Sequence, residues 1–154
     1  MQVGWLLAAD ERDPAFEAAC KVAKERVQEH LREQFPEFHS EVTMVNQRRF
    51  APRGALDPLP LLEFGVEAKF DMGWDYALVV VPNGLEMPER TGLGEISSSA
   101  LEVGIASTEA FARADEFSEQ LAAQTLRLLG YLWGRPNRDK GAMACETRSL
   151  VDFS

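Results

Sequence analysis

Histidine and cysteine, the two residue types that most often bind zinc in proteins, are almost absent from this sequence. Of its 154 residues only two are histidines, His30 and His39, and two are cysteines, Cys20 and Cys145. Neither pair has the short spacing of a zinc motif such as H-x-x-x-H, and two cysteines are too few for a disulfide framework. We therefore expect no disulfide-stabilised scaffold, no bound metal and no other cofactor.

Long apolar runs and basic segments are also missing. No run is long enough to cross a bilayer, and the first five residues carry no basic segment of the kind that begins a secretory signal. We therefore expect a cytoplasmic protein that does not bind a membrane. The formal net charge of −9 argues against a nucleic-acid partner, because nucleic-acid binding needs a basic face.

The sequence does contain enough apolar residues for one core. Hydrophobic residues make up 45% of the chain and include nine phenylalanines. A chain of this length suits a single domain over residues 1–154. Its apolar patterns predict strands at 2–8, 41–50, 76–81 and 101–107, an edge strand or turn at 92–98, and helices beginning at 14, 61 and 115.

This alternation of strands and helices predicts an α/β fold with a mixed, mostly parallel sheet flanked by helices. The apolar run at 76–81 is typical of a central strand covered on both faces. The segment 51–60, with three prolines, is expected to be a loop, and 83–94 is expected to be irregular. We assign Gln28 to the solvent-facing side of the first helix, and Gly65 breaks the pattern of the second.

The last helix has the longest regular pattern. Asp115 is a suitable N-cap, because its carboxylate can accept hydrogen bonds from the first turn. Gly130 interrupts the pattern, and Gly134 followed by Pro136 is expected to stop it. Five residues at helical spacing form the predicted buried stripe: Phe117, Leu121, Thr125, Leu128 and Leu132.

The end of this helix follows the spacing of H-E-x-x-H-x-x-G-x-x-H, in which three histidines hold zinc and the glutamate activates the bound water. Gly130 lies at the glycine position. The three histidine positions hold Ala123, Arg127 and Trp133, and the glutamate position holds Gln124. Further along, Met143 lies in a loop that looks like the methionine turn beneath such sites. An ordinary core helix with a glycine near its end would also explain the spacing.

Together with the order of the elements, this pattern resembles the metzincin-type zinc metallopeptidases, and archaemetzincin in particular. The resemblance covers most of the chain and implies a zincin architecture. It also implies a degenerate site, because alanine and tryptophan offer zinc no donor, arginine stays protonated and glutamine cannot act as a general base. The cysteines of the additional zinc site of archaemetzincin are missing as well, since only Cys145 lies in the tail.

Arg127 has two possible roles at such a site. It places a fixed positive charge where the metal would lie, in which case a carboxylate must pair with it, because an unpaired buried guanidinium is costly. Alternatively, its side chain extends from the helix edge into solvent.

Three functions are consistent with the sequence. The first is a catalytically inactive peptidase-like domain that binds a peptide or protein by strand addition. The second is a hydrolase with a mechanism that does not use zinc, for which Ser97, Ser98, Ser99 and Thr108 are the candidate nucleophiles. The third is a purely structural α/β subunit. The peptide-binding edge would comprise Leu93, Gly94, Glu95, Ile96, Ser97 and Ser98.

Overall fold

A computed structural model describes residues 1–7, 14–37, 39–46, 56–87, 90–111 and 116–133. Within these residues, three helices and seven strands follow one another along the chain. In chain order they are β1 (Gln2–Leu7), α1 (Pro14–Gln34), β2 (Glu41–Asn46), α2 (Pro58–Met72), β3 (Tyr76–Val81), β4 (Leu85–Met87), β5 (Arg90–Leu93), β6 (Glu95–Ser98), β7 (Val103–Ser107) and α3 (Phe117–Leu132). A short 3-10 helix, Glu109–Phe111, precedes α3.

Five of the strands form one sheet in the order β2-β1-β3-β7-β6. The first four are parallel to one another, and only β6 is antiparallel to its neighbour β7. The predicted mixed, mostly parallel sheet flanked by helices is confirmed. The predicted central strand is β3, which lies between β1 and β7 and is buried along most of its length.

Helices cover both faces of this sheet and create two apolar cores. On one face α1 and α3 pack together over alternate residues of β1 and β3, including Val3, Trp5 and Leu78. On the other face α2 covers the intervening residues, including Leu6 and Val79. This three-layer arrangement explains why the central strands read as unbroken apolar runs.

Helix α2 begins earlier than the sequence predicts, inside the segment expected to be a loop. Pro58 takes the first helical position, where a missing N–H costs nothing, and the Asp57 side chain caps the helix by accepting from the Leu59 N–H at 3.0 Å. Gly65 is a packing residue, because a Cβ there would lie 2.5 Å from a methyl carbon of Val103 on the sheet. The glycine that breaks the helical pattern therefore allows α2 to approach β7.

The sequence predicts an irregular segment at 83–94, and this prediction is wrong, because the segment contains the antiparallel pair β4–β5. Leu93 belongs to β5 and pairs with Leu85, so the predicted edge segment is divided at Gly94. Only Glu95–Ser98 forms the edge strand β6 of the main sheet.

Helix α3 continues through Gly130 to Leu132, so the glycine that interrupts the sequence pattern does not end the helix. The predicted stripe is buried at four of its five positions, and Phe117 packs at the margin of the core. Glu116 occupies the N-cap position, while Asp115 and Gly134 lie outside the described residues. No helix in the described part of the chain has the length and apolarity needed to cross a membrane.

Candidate functional site

Two of the residues at the degenerate motif positions of α3, Gln124 and Arg127, face the start of the edge strand β6. Gln124 is buried, and its Nε2 donates to the backbone carbonyl of Gly94 at 2.8 Å. The same carbonyl accepts from the Ser107 N–H of β7, also at 2.8 Å. The residue at the general-base position therefore contributes an amide that joins the helix to the sheet.

One turn further along α3, Arg127 forms an ion pair with Glu95. Its Nη2 lies 2.9 Å from Oε1 of Glu95, and the two side chains are only 15% and 5% exposed. The carboxylate expected beside a buried Arg127 is therefore that of Glu95. The guanidinium does not extend freely into solvent, because its head is held against the first residue of β6.

These two contacts connect Gly94 and Glu95, the consecutive residues at the start of β6, to positions three residues apart on the helix. Residues at this spacing lie on the same face of a helix. Gln124 reaches Gly94 and Arg127 reaches Glu95, so the space between α3 and the start of β6 is filled by a neutral amide and a charge pair. A charge-assisted hydrogen bond shielded from solvent is stronger than a neutral one.

The other motif residues do not join this cluster. Ala123 is exposed on α3 and presents no polar side-chain atom. The Trp133 ring packs edge-on against Phe35 and Tyr76, with centroid distances of 5.6 and 6.3 Å. Tyr76 begins β3, whereas Glu95 pairs with β7 near that strand's far end.

The continuous helix explains this position of Trp133. Since α3 does not turn at Gly130, residue 133 continues down the helix, with about 9 Å of helical rise separating it from Arg127. Met143, the candidate for a methionine turn, lies outside the described residues.

Two of the four candidate nucleophiles of a zinc-independent hydrolase, Ser98 and Thr108, have structural roles. Ser98 is buried, and its Oγ accepts from the Leu101 N–H at 3.3 Å. Thr108 is also buried, and its Oγ1 donates to the Val81 carbonyl at 3.5 Å. His39 lies before β2, at the sheet edge opposite to β6, and His30 is exposed on α1. Neither hydroxyl is thus placed as an activated nucleophile would be.

The predicted peptide-binding strand lies at the sheet edge but is not exposed. All four residues of β6 are between 0% and 7% exposed. The Gly94 carbonyl accepts a hydrogen bond from β7, so the backbone groups of Gly94 face β7. Because backbone direction alternates along a strand, Glu95 and Ser97 direct their N–H and C=O groups away from β7. Pairing of a peptide with these two residues would require the edge to become accessible.

The residues between α3 and β6 do not fit a zinc ion. Zinc binds nitrogen, sulfur or carboxylate donors that have lost a proton, and a guanidinium has no such donor. In the described part of the chain, no group of three or more histidine, cysteine, aspartate or glutamate residues is placed to hold a metal ion.

Comparison with solved structures identifies the fold. The chain is similar to archaemetzincin from Methanopyrus kandleri, with a TM-score of 0.63 and 16% identity over 91% of this chain and 77% of that one. The chain has an archaemetzincin-like fold.

Two further structures support this result. A zinc-dependent peptidase from Methanocorpusculum labreanum is similar with a TM-score of 0.64 and 16% identity, over 90% of this chain and 84% of that one. Archaemetzincin from Archaeoglobus fulgidus, solved with malonate, matches with a TM-score of 0.50 and 10% identity over 86% of this chain and 77% of that one. No protein-family model and no curated protein matches the sequence.

Proposed function

We propose that this protein is a catalytically inactive archaemetzincin-like domain in which the Arg127–Glu95 ion pair takes the place of the catalytic zinc. The observation that carries the proposal is the 2.9 Å contact between these two largely buried side chains. It places a fixed positive charge and its counter-charge in the space between α3 and β6. A zinc ion at this position would be repelled by the guanidinium and would find no histidine.

Gln124 supports the same proposal from the position of the general base. Its amide is buried and bonded to Gly94, and a carboxamide cannot accept a proton from water at neutral pH. The two positions essential for zinc-dependent hydrolysis therefore stabilise the packing of α3 on β6.

Restoring the motif tests this proposal. The triple variant Ala123→His, Gln124→Glu, Arg127→His places two histidines one helical turn apart with a glutamate between them. We expect the triple variant to bind zinc in calorimetry and the unmodified protein not to bind it. Glu95 then becomes available as a further carboxylate ligand in the variant.

A displaced histidine pair provides the matched control. Glu119→His with Ala123→His has the same spacing on α3 but lies one turn closer to the N-terminus, away from Glu95. Equal zinc affinity in the control and the triple variant would show that any histidine pair on this helix suffices. That result, or zinc binding by the unmodified protein at 123–133, would contradict the proposal.

We further propose that the domain acts by binding a peptide or protein, with the 93–98 edge as the site. The β6 strand is too short and too buried to accept a peptide without local opening. Hydrogen–deuterium exchange tests this: a bound extended peptide should protect the outward Ser97 amide and leave that of Ile96, which faces β7, unchanged. Protection elsewhere, or no binding in an array of extended peptides, would favour a purely structural role.

A further inference from the structure

The opposite edge of the sheet, strand β2, has backbone groups that point away from the sheet. The Glu41 N–H donates to the Met1 carbonyl at 2.9 Å and so faces the neighbouring strand β1. The Val42 N–H points the other way and donates to the Gln28 side chain at 2.6 Å. Because backbone direction alternates along a strand, Met44 and Asn46 also direct their N–H and C=O groups outward. In the described residues no strand pairs with β2 on this side.

At the beginning of this edge, the Gln28 side-chain amide forms the two hydrogen bonds that a peptide group of an added strand would form. Its Nε2 donates to the Ser40 carbonyl while its Oε1 accepts from the Val42 N–H. The residue is buried at the margin of α1, on the side that the sequence assigned to solvent, so that assignment is wrong. The Gln28 amide satisfies the first outward pair, and the next outward groups along the strand are those of Met44 and Asn46.

An open groove of 590 Å³ lies between α1 and this edge. Glu17, Lys21 and Lys24 line it from the helix, and Val42, Thr43 and Met44 line it from the strand. The groove therefore combines a strand edge that no described strand covers with one wall of side chains.

The charge of that wall is opposite to the charge of the chain as a whole. Two lysines face one glutamate, whereas the whole chain carries −9. Glu17 already accepts a hydrogen bond from the Asn46 side chain at 3.2 Å. Lys24 lies 3.6 Å from Glu25, and Lys21 is exposed. The net positive charge in the groove favours an acidic ligand.

We propose that the β2 edge binds an extended acidic segment of a partner protein by strand addition, with Met44 and Asn46 supplying the backbone pairing. Side chains on one face of an added strand recur about every 6.6 Å, and Lys21 and Lys24 are separated by about 4.5 Å of helical rise. Carboxylates at alternate positions of the partner therefore meet the two ammonium groups. This site is independent of the α3–β6 site, so either proposal can fail alone.

A short labelled peptide in which glutamate alternates with valine or threonine is the probe, and fluorescence anisotropy is the assay. We expect saturable binding that weakens as salt increases, and no binding when lysine replaces every glutamate. Absence of binding by the acidic peptide would overturn the proposal. So would self-association through this edge, seen in sedimentation as a dimer that Lys21→Glu dissociates, because the occupant would then be a second copy of this chain.

A pair of charge reversals on α1 locates the binding site. Lys21→Glu changes an exposed groove residue, and Arg32→Glu makes the same charge change on the same helix beyond Gln28. We expect the first to weaken binding about five-fold or more, and the second to weaken it less than about two-fold. Equal effects would assign the attraction to the net charge of the protein and would overturn the proposal.

Backbone N-methylation of the peptide distinguishes strand addition from a purely electrostatic contact. An added strand uses the N–H groups of every second residue. Of two peptides methylated on alternate sets of residues, one should lose binding and the other should keep it. Equal affinities of the two peptides would show that the β2 backbone does not pair with the ligand, which would contradict the proposal.

Discussion

Replacing Arg127 by methionine should destabilise the protein strongly, because it leaves the Glu95 carboxylate buried without its ion-pair partner. Methionine retains most of the apolar stem, so the main change is loss of the guanidinium. Removing one member of a buried ion pair typically costs about 3–5 kcal/mol. With exposures of 15% for Arg127 and 5% for Glu95, we expect a loss of about 3 kcal/mol.

A second ion pair in the same protein provides the control. Arg26 and Glu119 are also 2.9 Å apart, but their side chains are 50% and 57% exposed. An exposed pair contributes only about 0.2–1 kcal/mol. Arg26→Met should therefore reduce the free energy of unfolding by less than about 1 kcal/mol, although its N···O distance is the same.

Urea unfolding followed by circular dichroism gives the free energy of unfolding of both variants, provided that the m-value does not change. The double variant Arg127→Met with Glu95→Gln removes both charges and should recover about 2 kcal/mol of the loss, because no buried charge remains unpaired. Equal losses for Arg127→Met and Arg26→Met would refute the reasoning, since burial would then contribute nothing to the Arg127–Glu95 pair.

Three further changes test the packing and electrostatics of the fold. Gly65→Ala should destabilise by about 1–2 kcal/mol in thermal unfolding, because crowding against the sheet exceeds the helix-propensity gain of about 1 kcal/mol. Gln28→Leu should cost about 1–3 kcal/mol in urea unfolding by leaving the Val42 N–H unsatisfied, and exposed Gln34→Leu should change little. Burial raises the pKa of Tyr76 above its ordinary value, and two nearby carboxylates raise it further. The folded state therefore holds this proton more tightly, and stability falls as pH rises above about 10; Tyr76→Phe should reduce that fall.

The local pattern of the sequence is sufficient to predict the helices and the central strand. The apolar stripe of α3 and the apolar run of β3 reflect burial, and Pro14 marks the start of α1. Each of these signals is contained in the order of nearby residues. The mostly parallel sheet follows from their alternation. These features need no information about which distant residues meet.

The features that the sequence did not predict depend on contacts between distant parts of the chain. Gly65 breaks the helical pattern of the sequence, and only the packing of α2 against Val103 explains why a glycine is needed there. Gln28 looks like a surface residue until β2 brings Ser40 and Val42 to its amide. The pair β4–β5 has strands of three and four residues, too short to produce a clear pattern.

The sequence likewise predicts only part of the candidate site. Burial of a guanidinium requires a carboxylate, so a partner for Arg127 could be expected from charge alone. Its identity could not, because Glu95 reaches Arg127 only through the antiparallel pairing of β6 with β7. The position of Trp133 beside Phe35 and Tyr76 likewise depends on the helix continuing through Gly130.

X-ray diffraction at the zinc absorption edge, from crystals of the unmodified protein grown with zinc, tests the central claim most directly. The proposal predicts no anomalous peak between α3 and β6, with the Arg127 guanidinium still paired to Glu95. A zinc peak in that space, with Arg127 displaced and side chains of residues 123–133 coordinating the ion, would contradict it.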